Sequence, residues 1–286
     1  MYSISDFMPN SPTNKPIGIF DSGIGGLTVL SAIRDNLPNE SLLYLGDTAR
    51  VPYGTRSPET VQRYAERVAS HLWKQGVKAL VIACNTASTY ALEPLELVGE
   101  QLGIPVLGVI QPGVQEALAA TVSGRIAILG TEGTVRGGRY QSLLESGGAQ
   151  VEALACPLFV ALAEEGWTDG PITTAVAERY LNDLHTDPDT VILGCTHYPL
   201  LAPTLQRLLP GVRLIDSAQA TARSLHKALS DQQLLTTHTQ GAERFLVTDN
   251  VDRFCSSGAA FLGRQPNPVE LVDLAEPSAP FSEIKK

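Results

Sequence analysis

Short apolar runs and longer amphipathic stretches alternate along the whole chain. The runs cover residues 17–20, 42–45, 79–83, 106–110, 126–129, 151–154, 191–193, 212–215 and 244–247. Most are near-continuous Val, Ile and Leu, the pattern of strands covered on both faces, as in a parallel sheet. Segments with helical spacing lie between them. The clearest helix start is Ser57-Pro58-Glu59: a capping hydroxyl, a proline at the first helical position and an acid in the first turn. Strand–helix alternation over the full length predicts an α/β architecture with mostly parallel strands.

The pattern also repeats at long range. In the first half, one strand runs into Asp21-Ser22-Gly23 and a later one into Cys84-Asn85-Thr86. In the second half, one runs into Thr131-Glu132-Gly133 and a later one into Cys195-Thr196-His197. Nearly the same number of residues separates the members of each pair. This predicts two pseudo-symmetric α/β lobes, each a mostly parallel sheet flanked by helices, meeting at a tight seam near 110–112.

Composition narrows the function. The chain has 286 residues, 43% of them hydrophobic, with 21 Lys and Arg against 30 Asp and Glu and a formal charge of −9. That charge argues against a nucleic-acid surface, which needs clustered cations. No apolar run approaches the roughly 18 residues of a membrane span. The first fifteen residues are polar and lack the basic start and apolar stretch of a secretory signal, so they read as a polar tail. Four cysteines are too few for a disulfide scaffold, and a reducing cytoplasm is the expected compartment.

The two Cys motifs, IACNTAST at 82–89 and ILGCTHYPLL at 192–201, carry the chemistry. Each thiol stands where an apolar strand gives way to polar residues, the place where open parallel sheets build ligand sites. The following helix start is expected to favour thiolate and lower the pKa. Asn85, Thr86 and Thr196 offer hydrogen-bond donors and acceptors. If the lobes face one another, the thiols flank a single small-molecule substrate. One then removes a proton from carbon and the other returns one from the opposite side, which inverts a stereocentre. Asp21 is placed to orient one thiol and His197 the other. A lone strand-end Cys is more often buried and inert, and it is the matching context of two that favours catalysis. Cys156 and Cys255 lack that context and read as structural. No CxxC or HExxH pattern points to a metal.

The segment FDSGIGGLTVL, 20–30, reads as a tight Gly-rich turn or as a loop whose N–H groups hold a carboxylate, and Asp21 and Ser22 favour the second. It fits neither the dinucleotide nor the phosphate-loop spacing. Asp47, Pro52, Tyr53 and Gly54, in GDTARVPYGTRS at 46–57, form either a plain turn or a loop closing over a ligand. Thr131 and Thr134 occupy the equivalent place in the second half. Spacing alone assigns no role to Glu164 and Glu165. Two other readings of the pair remain open: a Cys–His hydrolase using Cys195 and His197, and a non-catalytic two-lobed amino-acid binder.

These motifs, with CPLFVALAEEG at 156–166 and LIDSA at 214–218, closely resemble the glutamate racemases of the aspartate/glutamate racemase family. The likeness runs from about Pro16 to Arg264. It implies a cofactor-independent isomerase that interconverts L- and D-glutamate and supplies the D-isomer for peptidoglycan, with aspartate racemase as the alternative. It implies that Cys84 and Cys195 carry the proton, Cys84 serving D-glutamate and Cys195 L-glutamate, assisted by Asp21, Glu164 and His197. It implies substrate contacts from Asp21, Ser22, Tyr53, Gly54, Asn85, Thr86, Thr131, Thr196 and His197, with Thr134 and Asp47 as further members. The family stretch commonly reads CPLFVPLVEEG, and here Ala161 and Ala163 stand in place of Pro and Val. It further implies a first lobe of 16–110 completed by 220–268, a second of 111–219, and often a homodimer. Residues 269–286, rich in Pro and charge near the end, are expected to be a mobile tail.

Overall fold

The computed structural model describes residues 11–274. The elements of its first half are β1 (Ile17–Asp21), α1 (Leu27–Asn36), β2 (Leu42–Gly46), α2 (Pro58–Lys74), β3 (Ala79–Ile82), α3 (Asn85–Leu102), β4 (Val106–Gly108) and α4 (Ile110–Ala120). There follow β5 (Arg125–Gly130), α5 (Glu132–Gly137), α6 (Arg139–Ser146), β6 (Gln150–Ala155), α7 (Leu158–Glu164), α8 (Pro171–Leu181), β7 (Thr190–Gly194), α9 (Ala202–Leu208) and β8 (Arg213–Ile215). The chain then continues through α10 (Ser217–Asp231), β9 (Glu243–Val247), α11 (Val251–Leu262) and β10 (Val269–Leu271). Every predicted apolar run holds a strand. The run at 106–110 stops short, because Ile110 already opens α4.

The strands form two wholly parallel sheets, ordered β10-β9-β2-β1-β3-β4 and β6-β5-β7-β8. The order β2-β1-β3-β4 in one matches β6-β5-β7-β8 in the other, so the long-range sequence repeat is also a repeat of topology. The central strands are buried from end to end. Their Val, Ile and Leu side chains enter apolar clusters on both faces of each sheet. No helix among the described residues is long and apolar enough to cross a membrane.

Local signals explain the element ends. The Ser57 hydroxyl accepts from the Thr60 amide at 3.3 Å, capping α2 as its sequence predicts. Val61, Ala65, Val68, Ala69 and Leu72 then place one buried stripe against the first sheet. Truncating Leu72 to Ala would cost about 2–5 kcal/mol by the usual core penalty.

The expected C-terminal tail is corrected in part. Residues 269–271 pair with β9 as an edge strand, Val269 level with Phe245, and Leu274 is buried. Glu270 and Leu271 are exposed, so no apolar run announces this strand. Residues 275–286 lie outside the described residues. At the other end, residues 11–15 of the expected polar tail are tied down: the Thr13 carbonyl accepts from Lys78, and Asn14 Oδ1 accepts from Thr236 at 3.0 Å.

Candidate active site

Strand register sets the two thiols in equivalent places. Phe20 is level with Ile82, which brings Ser22 level with Cys84 just past the ends of the strands. Gly130 is level with Gly194, which brings Thr131 level with Cys195. All four residues line one cavity of about 270 Å³ at the carboxyl ends of both sheets. Tyr53, Gly54, Asn85, Thr86, Glu164, Thr196 and His197 line it as well. Val51, Pro157, Val160 and Ala161 supply apolar wall. These apolar positions carry no chemical signal in the sequence; only the fold turns them to the cavity.

Three residues of the sequence reading lie behind the lining. Asp21 is fully buried beneath Ser22, its Oδ2 accepting from the Gly23 amide at 2.9 Å. Its Oδ1 has no partner, and burial raises its pKa despite the opposing charge of His197. Asp47 accepts from the Tyr53 hydroxyl at 2.7 Å, from Arg50 at 2.7 Å and from Thr248 at 2.9 Å, so it braces the Tyr53 loop. Thr134 sits behind Thr86 and Thr131, 3.3 and 3.0 Å from their hydroxyls.

The surroundings of the thiols differ. Cys84 caps α3, its sulfur accepting from the Ala87 amide at 3.4 Å and standing 3.7 Å from the Ser22 hydroxyl. The expected depression of its pKa is corrected. Burial dominates and, with the Asp21 charge, pushes the thiol up to about 12 against the pull of the helix amide. A helix start offers partial charge, whereas removal from water penalises the full charge of a thiolate. Cys195 instead faces an imidazole: His197 Nδ1 lies 3.8 Å from its sulfur, and Nε2 lies 3.2 Å from Glu164 Oε1. Burial opposes the imidazolium, but the hydrogen bonds to Cys195 and Glu164 outweigh it and push His197 up to about 10. The hydrogen bond to His197 is also the main reason Glu164 is held below its ordinary range, with Arg253 of α11 at 3.4 Å adding to it. Glu164 thus joins the site through His197, a link between α7 and the strand end of β7 that spacing could not reveal. Glu165 is exposed and meets Arg253 at 3.8 Å.

The seam between the sheets is close-packed. Thr86 and Thr131 hydroxyls meet at 2.9 Å, and the Tyr90 hydroxyl donates to the Gly133 carbonyl at 2.7 Å. A methyl on Gly133 would lie 2.9 Å from the Thr86 side chain, and one on Gly54 would lie 2.7 Å from that of Thr131. Cys156 is buried away from the cavity and Cys255 is half-buried on α11. Among the described residues, no group of three or more His, Cys, Asp or Glu is placed to hold a metal ion.

Two thiols that open onto one cavity from the strand ends of a duplicated α/β fold are an arrangement that suits an isomerase. In keeping with this, a family profile described as Asp/Glu/Hydantoin racemase matches residues 27–225. The glutamate racemase of Aquifex aeolicus is 55% identical over 209 residues, 73% of this chain and 81% of its own length. That of Geobacter metallireducens is 49% identical over 265 residues, 91% of this chain and 97% of its own. The crystal structure of glutamate racemase from Francisella tularensis in complex with D-glutamate has a TM-score of 0.86 and 37% identity, covering 92% of this chain and 98% of that one. The chain belongs to the Asp/Glu/Hydantoin racemase family and, within it, to the glutamate racemases.

Proposed function

We propose that this chain interconverts L- and D-glutamate by passing the α-proton between Cys84 and Cys195. The observation that carries the reading is the opening of both sulfurs, from equivalent positions of two sheets, onto one small cavity. Cys195, beside an imidazolium, takes the α-proton of L-glutamate as thiolate. Cys84, which burial keeps protonated, gives a proton to the opposite face of the α-carbon. D-glutamate leaves, and the reverse reaction starts from the exchanged protonation states. The charge of the bound ammonium group offsets the burial that raises Cys84, so each thiol serves as acid and as base.

The carbanionic charge is the harder problem. Hydroxyls of Ser22, Thr86 and Thr196 and the cavity's amides are preorganised donors, and the apolar wall excludes water. His197, itself held by Glu164, supports Cys195 from beside its sulfur. Asp21 orients the Ser22 turn from below, and Tyr53 and Gly54 close the cavity over the substrate. No lysine occurs in the motifs, and none of these steps calls for a Schiff base. The product is D-glutamate for peptidoglycan, made in the cytoplasm by an enzyme that works as a homodimer.

Proton NMR of L-glutamate in D₂O with purified protein and no added cofactor tests the reading. Loss of the α-proton signal, together with D-glutamate appearing on chiral chromatography of the same sample, supports it. Preferential turnover of aspartate in the same assay assigns the chain to the alternative substrate. Binding without exchange makes it a non-catalytic binder, and an acyl-enzyme on Cys195 makes it a hydrolase or transferase.

A further inference from the structure

Tyr140 is absent from the cavity lining, yet it stands where the two halves of the site join. It is fully buried on α6, among residues of the second sheet. Its hydroxyl donates at 2.7 Å to Oδ1 of Asn85, the residue that follows Cys84 at the start of α3. Its ring also packs against the strand end that carries the other thiol: a methyl on Gly194, next to Cys195, would lie 3.5 Å from it. Ser217, at the start of α10, faces the same hydroxyl. Burial holds the phenol proton in place, so the hydroxyl is available as a donor.

Asn85 has one acceptor and two donor hydrogens on its side chain. Tyr140 occupies the acceptor. Among the described residues the Nδ2 group has no protein partner, although Asn85 is only 3% exposed and lines the cavity. A buried amide that could turn either way would present a carbonyl or an amino group with similar ease, and a carbonyl repels an anion. We infer that Tyr140 is a positioning residue. By holding Asn85 Oδ1 from the second lobe, it keeps both Nδ2 hydrogens turned to the cavity, where they hold a carboxylate of the substrate. The inference rests on the glutamate reading, since it needs a carboxylate ligand beside Cys84. It also makes the ligand contact dependent on the seam, because donor and amide come from different sheets.

The test compares wild type, Tyr140→Phe, Asn85→Ala and the double variant for racemisation of glutamate in both directions. Phenylalanine keeps the ring packing and removes only the hydroxyl. Tyr140→Phe is expected to raise KM about five- to tenfold, the worth of one neutral hydrogen bond, with kcat changed less than about threefold. In the Asn85→Ala background, removing the hydroxyl is expected to change KM no further. An unchanged KM in Tyr140→Phe, or effects that add in the double variant, overturns the positioning role while leaving the racemase reading standing. A wild type that does not turn over glutamate overturns both. Should Tyr140→Phe not fold, an atomic-resolution or neutron structure of the wild type with D-glutamate decides: Nδ2 on the ligand carboxylate supports the inference, and Oδ1 turned to the ligand overturns it.

Discussion

His197 Nδ1 stands 3.8 Å from the sulfur of Cys195, and that single contact separates the two otherwise matched halves of the site. In the first half Thr86 holds the position equivalent to His197, and Cys84 instead meets the hydroxyl of Ser22 at 3.7 Å. One thiol therefore has an imidazolium partner and the other a neutral hydroxyl, although their backbone settings agree.

Replacing either thiol separates the two half-reactions. Cys84→Ser and Cys195→Ser are each expected to lower racemisation by about 10³-fold or more, consistent with loss of a positioned acid–base group. With Cys195 intact, Cys84→Ser still washes the α-proton out of L-glutamate in D₂O but not out of D-glutamate. Cys195→Ser shows the mirror behaviour. Near-normal turnover in either variant contradicts the two-thiol assignment.

The His197 pair links catalysis to stability. Its pKa rises from 6.5 to about 10 on folding, so its stabilisation is full below about pH 6.5, declines above that and is lost as pH passes through 10. Glu164 is shifted downward, so its share is present above its ordinary range and lost on acidification through its lowered pKa. Melting temperatures of wild type and His197→Gln should therefore draw together between pH 6.5 and pH 10. A constant gap across that range would show that the imidazolium contributes no linkage. The same variant is expected to lose about 10²-fold in turnover of L-glutamate.

Gly25 of the first lobe packs directly against His197. A methyl there would fall 2.5 Å from His197 Nδ1 and would also overlap the Thr196 hydroxyl. Gly25→Ala is expected to displace His197 and cut kcat about 10²-fold, as a misplacement near 1 Å does. Circular dichroism should remain that of the wild type. Unaltered kinetics would mean that the seam yields more readily than its packing implies.

Far from the cavity, Lys78 and Glu40 form an ion pair at 2.6 Å with both side chains 2% exposed. Lys78 also donates to the carbonyls of Thr13 and Leu234, and Glu40 Oε1 accepts from the Thr236 amide. Lys78→Met leaves a buried carboxylate unpaired and should cost about 3–5 kcal/mol in urea unfolding. Adding Glu40→Leu should recover much of that loss. Neither change should alter kcat, because neither residue lines the cavity.

What could be read from the sequence was what neighbours along the chain decide. The apolar runs marked the strands because the central ones are buried over their whole length and their flanking partners keep the same apolar character. Ser57 marked the start of α2 because a cap needs only the next three residues. The paired contexts of Cys84 and Cys195 pointed to one site because both follow strands in matching topology. The edge strand at Val269–Leu271 escaped because it is short, half-exposed and held by the ladder of β9. The cavity's apolar wall, the reach of Glu164 to His197, the place of Asp21 beneath the floor and the hold of Tyr140 on Asn85 belong to the tertiary structure alone. Each depends on elements distant in sequence coming together, and on how far folding removes a group from water. For the same reason the charge preference of Cys84 ran opposite to expectation: the helix start is local and small, whereas the burial that opposes it comes from the whole assembled core.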